Sequence, residues 1–155
     1  MSNKITKRLT ELGVTLPSPA APAANYVPYV ITGNQLIVSG NLPFGPDGLE
    51  YVGKVGDDIS IEQAQASAKL CAINILAQVN VALGGDLSRI KRLVRLGGFV
   101  NATADFTQQP AVINGASDFM VAVLGDAGKH ARAAVGVNSL PLGVSVEIDA
   151  IFEIE

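Results

Sequence analysis

The chain has 155 residues, 48% of them hydrophobic and 16% charged, with a formal net charge of −3 and a pI near 5.1. That length fits one domain with a real core, and the acidic balance argues against a dedicated nucleic-acid binder, which carries a basic patch. A charge fraction below the roughly 25% of an average chain leaves apolar surface on a monomer, so other subunits are expected to cover part of it.

Met1 to Ile5 lacks the apolar run of a secretory signal, and no stretch of about 18 apolar residues follows anywhere. A soluble, cytoplasmic protein without membrane contact is the expectation. Ile5, Leu9 and Leu12 recur at i, i+4 and i+7, which predicts a short amphipathic helix closed by Gly13. Residues 14–25, with Pro17, Pro19 and Pro22, read as an extended connection. Tyr26 to Thr32, the turn pair Gly33-Asn34 and Leu36 to Val38 predict a hairpin. Ser39-Gly40-Asn41-Leu42-Pro43 ends it, Pro46-Asp47-Gly48 is a tight turn, and Tyr51 to Val55 reads as a short edge strand.

Ser60 and Gln63 have the spacing of a capping box. The set Ala64, Ala68, Cys71, Ile75, Val79 and Leu83 then predicts a long helix ending at Gly84-Gly85. Its small residues suit flat packing on a sheet. Cys71, the only cysteine, excludes an intrachain disulfide and reads as a buried packing residue. Arg89, Lys91, Arg92 and Arg95 form the one basic cluster, read as a solvated helix-to-strand connection. A strand is expected within Ile90–Val100. Pro110 opens a second helix with an apolar face of Val112, Ala116, Phe119, Met120 and Val123, stopped by Gly125. His130 is the only histidine, and with one cysteine it provides no zinc set of the usual kind.

Two strands finish the chain, Ala131–Val137 and Val144–Ile154, read as neighbours around Leu140-Pro141. The last alternates cleanly, with Val146, Ile148, Ala150 and Phe152 on one face and Ser145, Glu147 and Asp149 on the other. Together the elements give an α+β fold: β-α-β units on a mixed sheet, two long helices on one face, and the other face left for oligomerisation. One domain over 1–155 is expected, with residues 1–18 as an N-terminal helix and linker extension. Arg132 and Glu147 stand out as single charges among small or β-branched residues. From the residues alone, Arg132 fits either a structural ion pair or an anion site. Glu147 fits either an outward strand position or a water-orienting carboxylate.

The run Ala131-Arg132 to Glu147-Ile148, with Leu140-Pro141 between, resembles the RidA (YjgF) family of imine deaminases, some of whose members are labelled endoribonuclease L-PSP. Tyr26, Ser39-Gly40-Asn41-Leu42-Pro43 and Asn114 support the resemblance, which spans about Pro19 to Glu155. It implies a chorismate-mutase-like fold and a homotrimer with three clefts between subunits. It implies a substrate such as 2-aminoacrylate or its imine tautomer, released by pyridoxal-phosphate enzymes and hydrolysed to a 2-keto acid and ammonia without metal or organic cofactor. In that family the arginine, here Arg132, grips the substrate carboxylate, and the position of Glu147 is associated with water placement. The backbone N–H of Ala134, the side chain of Tyr26 (with Tyr29 as a rival), Gly40 and Asn114 complete the candidate binding set. Two positions depart from the pattern: Ala134 stands where many members have cysteine, and His130 where small residues or proline are usual. His130 either lines the cleft beside Arg132 or sits outside on a loop. A non-catalytic binder of a small carboxylate is the alternative function. Ribonuclease activity has little support in an acidic chain with one histidine, and chorismate mutase activity would rest on fold alone.

Overall fold

The computed structural model describes residues 3–19 and 25–155, so Pro22 in the extended connection lies outside the described residues. The first helix, α1 (Lys4–Glu11), is capped by the Asn3 side chain, which accepts from the backbone N–H of Ile5 and Thr6. Gly13 closes it at φ +71°. Leu9 is buried, and Arg8 Nε donates to the Ala122 carbonyl at 3.1 Å, tying α1 to a later helix. Leu12 lies past the last turn, as the C-cap, and is exposed.

The hairpin forms from β1 (Tyr29–Thr32) and β2 (Gln35–Asn41). It starts at Tyr29 rather than Tyr26, after Pro28, which has no N–H for a ladder. Around Pro46-Asp47 a two-residue ladder joins β3 (Phe44–Gly45) to β4 (Gly48–Leu49). The expected edge strand at Tyr51–Val55 does not form. Tyr51 at φ +55° and Gly53 at φ +146° break the extension, and Val52 and Val55 make only isolated bridges.

The long helix is α2 (Ile61–Ala82), and both hydrogen bonds of the Ser60/Gln63 capping box are present. Next come β5 (Ile90–Asn101), α3 (Gln109–Leu124) with Pro110 in its first turn, β6 (Ala131–Val137) and β7 (Val146–Ile154). Both long helices pack on one face of a five-stranded sheet in the order β1-β2-β7-β5-β6. Only β5 and β6 run parallel. Every second residue of β7 from Val146 to Ile154 is buried under the helices, in the alternation expected from the sequence.

The sheet order corrects one expectation. The strands carrying Arg132 and Glu147 are not neighbours, because β5 lies between them. β7, with large residues buried at alternate positions, takes the central place between β2 and β5. β6, with small residues and Val around Arg132 and none of them buried, takes the edge, where a strand buries least.

Helices α2 and α3 approach closely at Gly115. A Cβ there would lie 2.7 Å from the carbonyl carbon of Gln65, and backbone cannot swing aside as a side chain can. Gln65 Nε2 also donates to the Ala111 carbonyl across this crossing, at 2.9 Å. Gly115→Ala is therefore expected to force the helices apart and destabilise the fold by about 2–4 kcal/mol despite alanine's better helix propensity. Denaturant unfolding would measure it, and an unchanged midpoint would contradict so tight a crossing.

Among the described residues, no helix is long and apolar enough to cross a membrane.

Candidate functional site

The candidate residues separate into two groups on opposite faces of the sheet. Arg132 pairs in register with Leu96, a core position, so its side chain lies on the helix side. There Nη1 donates to Ser117 Oγ at 3.0 Å and Nη2 to the Pro110 carbonyl at 3.3 Å. The ion pairs among the described residues are Arg8–Glu11, Arg95–Asp149 and Lys129–Asp126. Arg132 thus has no carboxylate partner among them, and its remaining N–H groups meet no acceptor there. A half-buried guanidinium held by neutral oxygens keeps its charge available to an anion.

Ala134 lies two residues along the same face, opposite Gly98. The Val137 carbonyl accepts from Ala102 N–H on the β5 side. By the alternation of an extended chain, the backbone N–H of Ala134 points instead to the open edge of the sheet. Asn114 is exposed on α3, one turn from both Pro110 and Ser117, so it shares the helix face that holds Arg132. Ser117 was not among the sequence candidates, although its spacing from Pro110 and Asn114 on a helix was a readable signal.

Glu147 belongs to the other face. Its register partner is Phe99, and its neighbour along that face, Asp149, lies 3.6 Å from Arg95. Burial pushes the Glu147 carboxyl above its usual range, and the negative charge of Asp149 adds to the shift. Gly40 sits against this carboxylate. The pairing of β2 with β7 slips between Val38 and Asn41, and this bulge turns Gly40 towards Glu147. A Cβ on Gly40 would occupy the place of Glu147 Oε2.

Tyr26 and Gly40 line a cavity of about 330 Å³ together with Ser39, Asn41, Asn74 and Gln78. Ser39 places Tyr26 there: its Oγ donates to the Val27 carbonyl at 2.7 Å, and its backbone N–H to the Pro28 carbonyl at 3.0 Å. Tyr29, the rival tyrosine, packs against the core instead.

Gly40→Ala is expected to swing the flexible Glu147 side chain away at a cost below about 1 kcal/mol in stability, while lowering activity as strongly as loss of the carboxylate. Paired thermal melts and turnover assays would check this, and a large stability loss would place the strain in the backbone instead.

Arg132 and Glu147 therefore do not meet within one chain. Two strand spacings and a three-residue offset separate their backbone positions by roughly 14 Å, and their side chains leave opposite faces. A small imino acid cannot touch both. The basic cluster is not a free patch: Arg89 donates to the Glu155 carbonyl, Arg92 to the Lys129 carbonyl, and Arg95 pairs with Asp149. Cys71 is buried and donates to the Val146 carbonyl. Burial pushes its thiol well up, with the nearby Glu147 adding to the shift, so it stays protonated and inert.

Residues 6–152 match the family described as YjgF/chorismate mutase-like, putative endoribonuclease. Protein TCP17 of Trypanosoma cruzi is 47% identical over 154 residues, which is 99% of this chain and 96% of that protein. The crystal structure of protein Atu1372 from Agrobacterium tumefaciens is 54% identical, covering 98% of this chain and 93% of that one, with a TM-score of 0.92. RidA from the Antarctic bacterium Psychrobacter sp. PAMC 21119 is 28% identical, covering 88% and 94%, with a TM-score of 0.60.

Proposed function

The chain belongs to the YjgF/chorismate-mutase-like family, and from that membership we propose a hydrolytic deaminase of reactive 2-imino and 2-enamino acids, releasing a 2-keto acid and ammonia. The observation that carries this reading is the Arg132 guanidinium, held on α3 by neutral acceptors and without a carboxylate of its own. Similarity to a protein named RidA supports the same reaction class.

Arg132 takes the substrate carboxylate through its free N–H groups, and the outward N–H of Ala134 adds a donor. This fixes the imine carbon for attack. Glu147, a carboxyl with a raised pKa, accepts a proton from the attacking water as its oxygen bonds to that carbon. The resulting carbinolamine carries hydroxyl and amino groups on one carbon. The proton taken from water goes to the imine nitrogen and makes that amino group. Glu147 then takes the hydroxyl proton as the C=O bond forms and passes it to nitrogen as the C–N bond breaks, so ammonia leaves and the carboxylate is restored. No thiol takes part, so Ala134 in place of cysteine leaves these steps intact.

Since the two groups lie on opposite faces, the reaction draws Arg132 from one copy and Glu147 from another, in a homotrimer with clefts between subunits. The open face of the sheet suits such contact. Val30, Ile37 and Val135 are exposed on it, and exposed apolar side chains of this kind suit contact with another copy.

The test adds purified protein to a serine or threonine dehydratase reaction and follows keto-acid release. Faster release supports the reading, and no acceleration by an intact oligomer overturns it for these substrates. A second reading, a non-catalytic carboxylate binder, is favoured by the fact that the Arg132 group is complete in one chain without Glu147. It predicts binding lost in Arg132→Ala with no turnover of any imine. RNA cleavage lacks an acid–base pair: His130 is the sole histidine, and both its ring nitrogens are engaged.

A further inference from the structure

His130 and Ser117 form a short relay that ends on Arg132. His130 Nδ1 lies 2.6 Å from the Gly128 carbonyl, and Nε2 lies 2.9 Å from Ser117 Oγ. Ser117 Oγ is in turn 3.0 Å from Arg132 Nη1. For a neutral imidazole, the hydrogen-bond partners assign every proton along these bonds. A carbonyl only accepts, so Nδ1 carries a proton. A guanidinium only donates, so Ser117 Oγ accepts from Arg132. In that tautomer Nε2 is an acceptor, and the hydroxyl proton of Ser117 goes there. The relay runs in one direction, from Arg132 to Ser117 to His130, with Nδ1 donating to Gly128. Each bond polarises the next, which strengthens Ser117 as an acceptor for the guanidinium.

We propose that Ser117 and His130 are positioning residues for Arg132: His130 locks the Ser117 hydroxyl with a lone pair towards Arg132, and Ser117 holds the guanidinium against α3 in the orientation that receives a carboxylate. The second half of this statement rests on the carboxylate-binding reading above.

The elements make the arrangement rigid. Ser117 sits mid-helix on α3, packed through Val112, Ala116, Phe119 and Met120. His130 immediately precedes β6, two residues before Arg132, and its ring is anchored to the backbone of the turn that joins α3 to β6. Pro110, two turns earlier on the same face of α3, holds the other terminal nitrogen through its carbonyl. A serine mid-helix with its hydroxyl turned to a histidine and an arginine has left its usual backbone partner. That hydroxyl is therefore used for orientation and not for the helix. The histidine thereby has a role: without it the hydroxyl rotor is free and the Ser117–Arg132 bond loses its direction.

The experiment compares wild type with Ser117→Ala, Ser117→Thr and His130→Phe in the full chain. One arm reads the Arg132 Nε–H and Nη signals by nitrogen-15 NMR, without any ligand. The other titrates pyruvate, a 2-keto acid, as the carboxylate probe. Wild type should show slow guanidinium rotation, with separate Nη signals for Arg132. Ser117→Ala and His130→Phe should average them, and Ser117→Thr, which keeps the hydroxyl, should retain them. Pyruvate affinity should fall by about tenfold in Ser117→Ala, the size expected for one hydrogen bond to a charged group. It should fall no further when Ser117→Ala is added to Arg132→Ala. Unchanged Arg132 signals in Ser117→Ala would overturn the positioning role. Averaged signals in Ser117→Ala, in a protein that never binds pyruvate, would uphold the relay and overturn the carboxylate reading.

Discussion

Arg132→Ala should lower kcat/KM for a 2-imino acid by about 100- to 1,000-fold, the range for removing one partner of a sheltered charge pair. The reason lies in what Arg132 touches. Its protein contacts are one hydroxyl and one carbonyl, which leaves its charge to be matched by substrate. The residue is half-buried at a sheet edge, so its loss should cost under about 1 kcal/mol of stability. Arg132→Lys keeps the charge and loses the planar fork, so it should recover only part of the activity. Steady-state kinetics beside thermal melts would check both. Full activity in Arg132→Ala would remove the anchor from the mechanism.

Glu147→Gln should lower kcat by about 10²- to 10³-fold with little change in KM, as loss of a general base does. The pH profile follows from the raised pKa. Activity needs the ionised carboxylate, so it should fall as pH drops through a value above the ordinary glutamate range. Stability runs the opposite way. A carboxyl with a folded-state pKa above its unfolded value binds its proton more tightly in the folded state. Its contribution is fully present below the unfolded pKa and is lost as pH rises through the folded pKa. At neutral pH the ionised Glu147 therefore weakens the fold, and Glu147→Gln should raise Tm or leave it unchanged while activity collapses. Such opposite movement is expected of a group kept for chemistry rather than packing. A fall in Tm with activity retained would return Glu147 to a structural role.

Local order was legible where one residue type has one physical use. Ser60 and Gln63 capped α2 as their spacing required, Gly125 stopped α3, and the period of two from Val146 to Phe152 marked the buried face of β7. Sheet order was not legible, since nothing in Ala131–Val137 or Val146–Ile154 states which strands they pair with. The short Leu140-Pro141 connection invited a hairpin, yet β5 stands between the two strands. For the same reason Arg132 and Glu147 read as one site when their side chains leave opposite faces. Tyr26 and Tyr29 were equivalent as letters, and only the fold separates them, with Tyr26 at the cavity and Tyr29 against the core. Spacing could put Ser117 on one helix face with Pro110 and Asn114 but not reveal its role, which depends on His130 and Arg132 beyond the end of α3.

Mixing the two impaired variants tests whether each site is shared between copies. Arg132→Ala and Glu147→Gln chains, co-expressed or co-refolded in equal amounts, are assayed for keto-acid release from a dehydratase-generated imine. If Arg132 of one copy and Glu147 of another build each site, random mixing restores about a quarter of the wild-type rate, because that share of interfaces joins the intact arginine to the intact glutamate. A mixture no more active than the variants alone would contradict a site shared between copies.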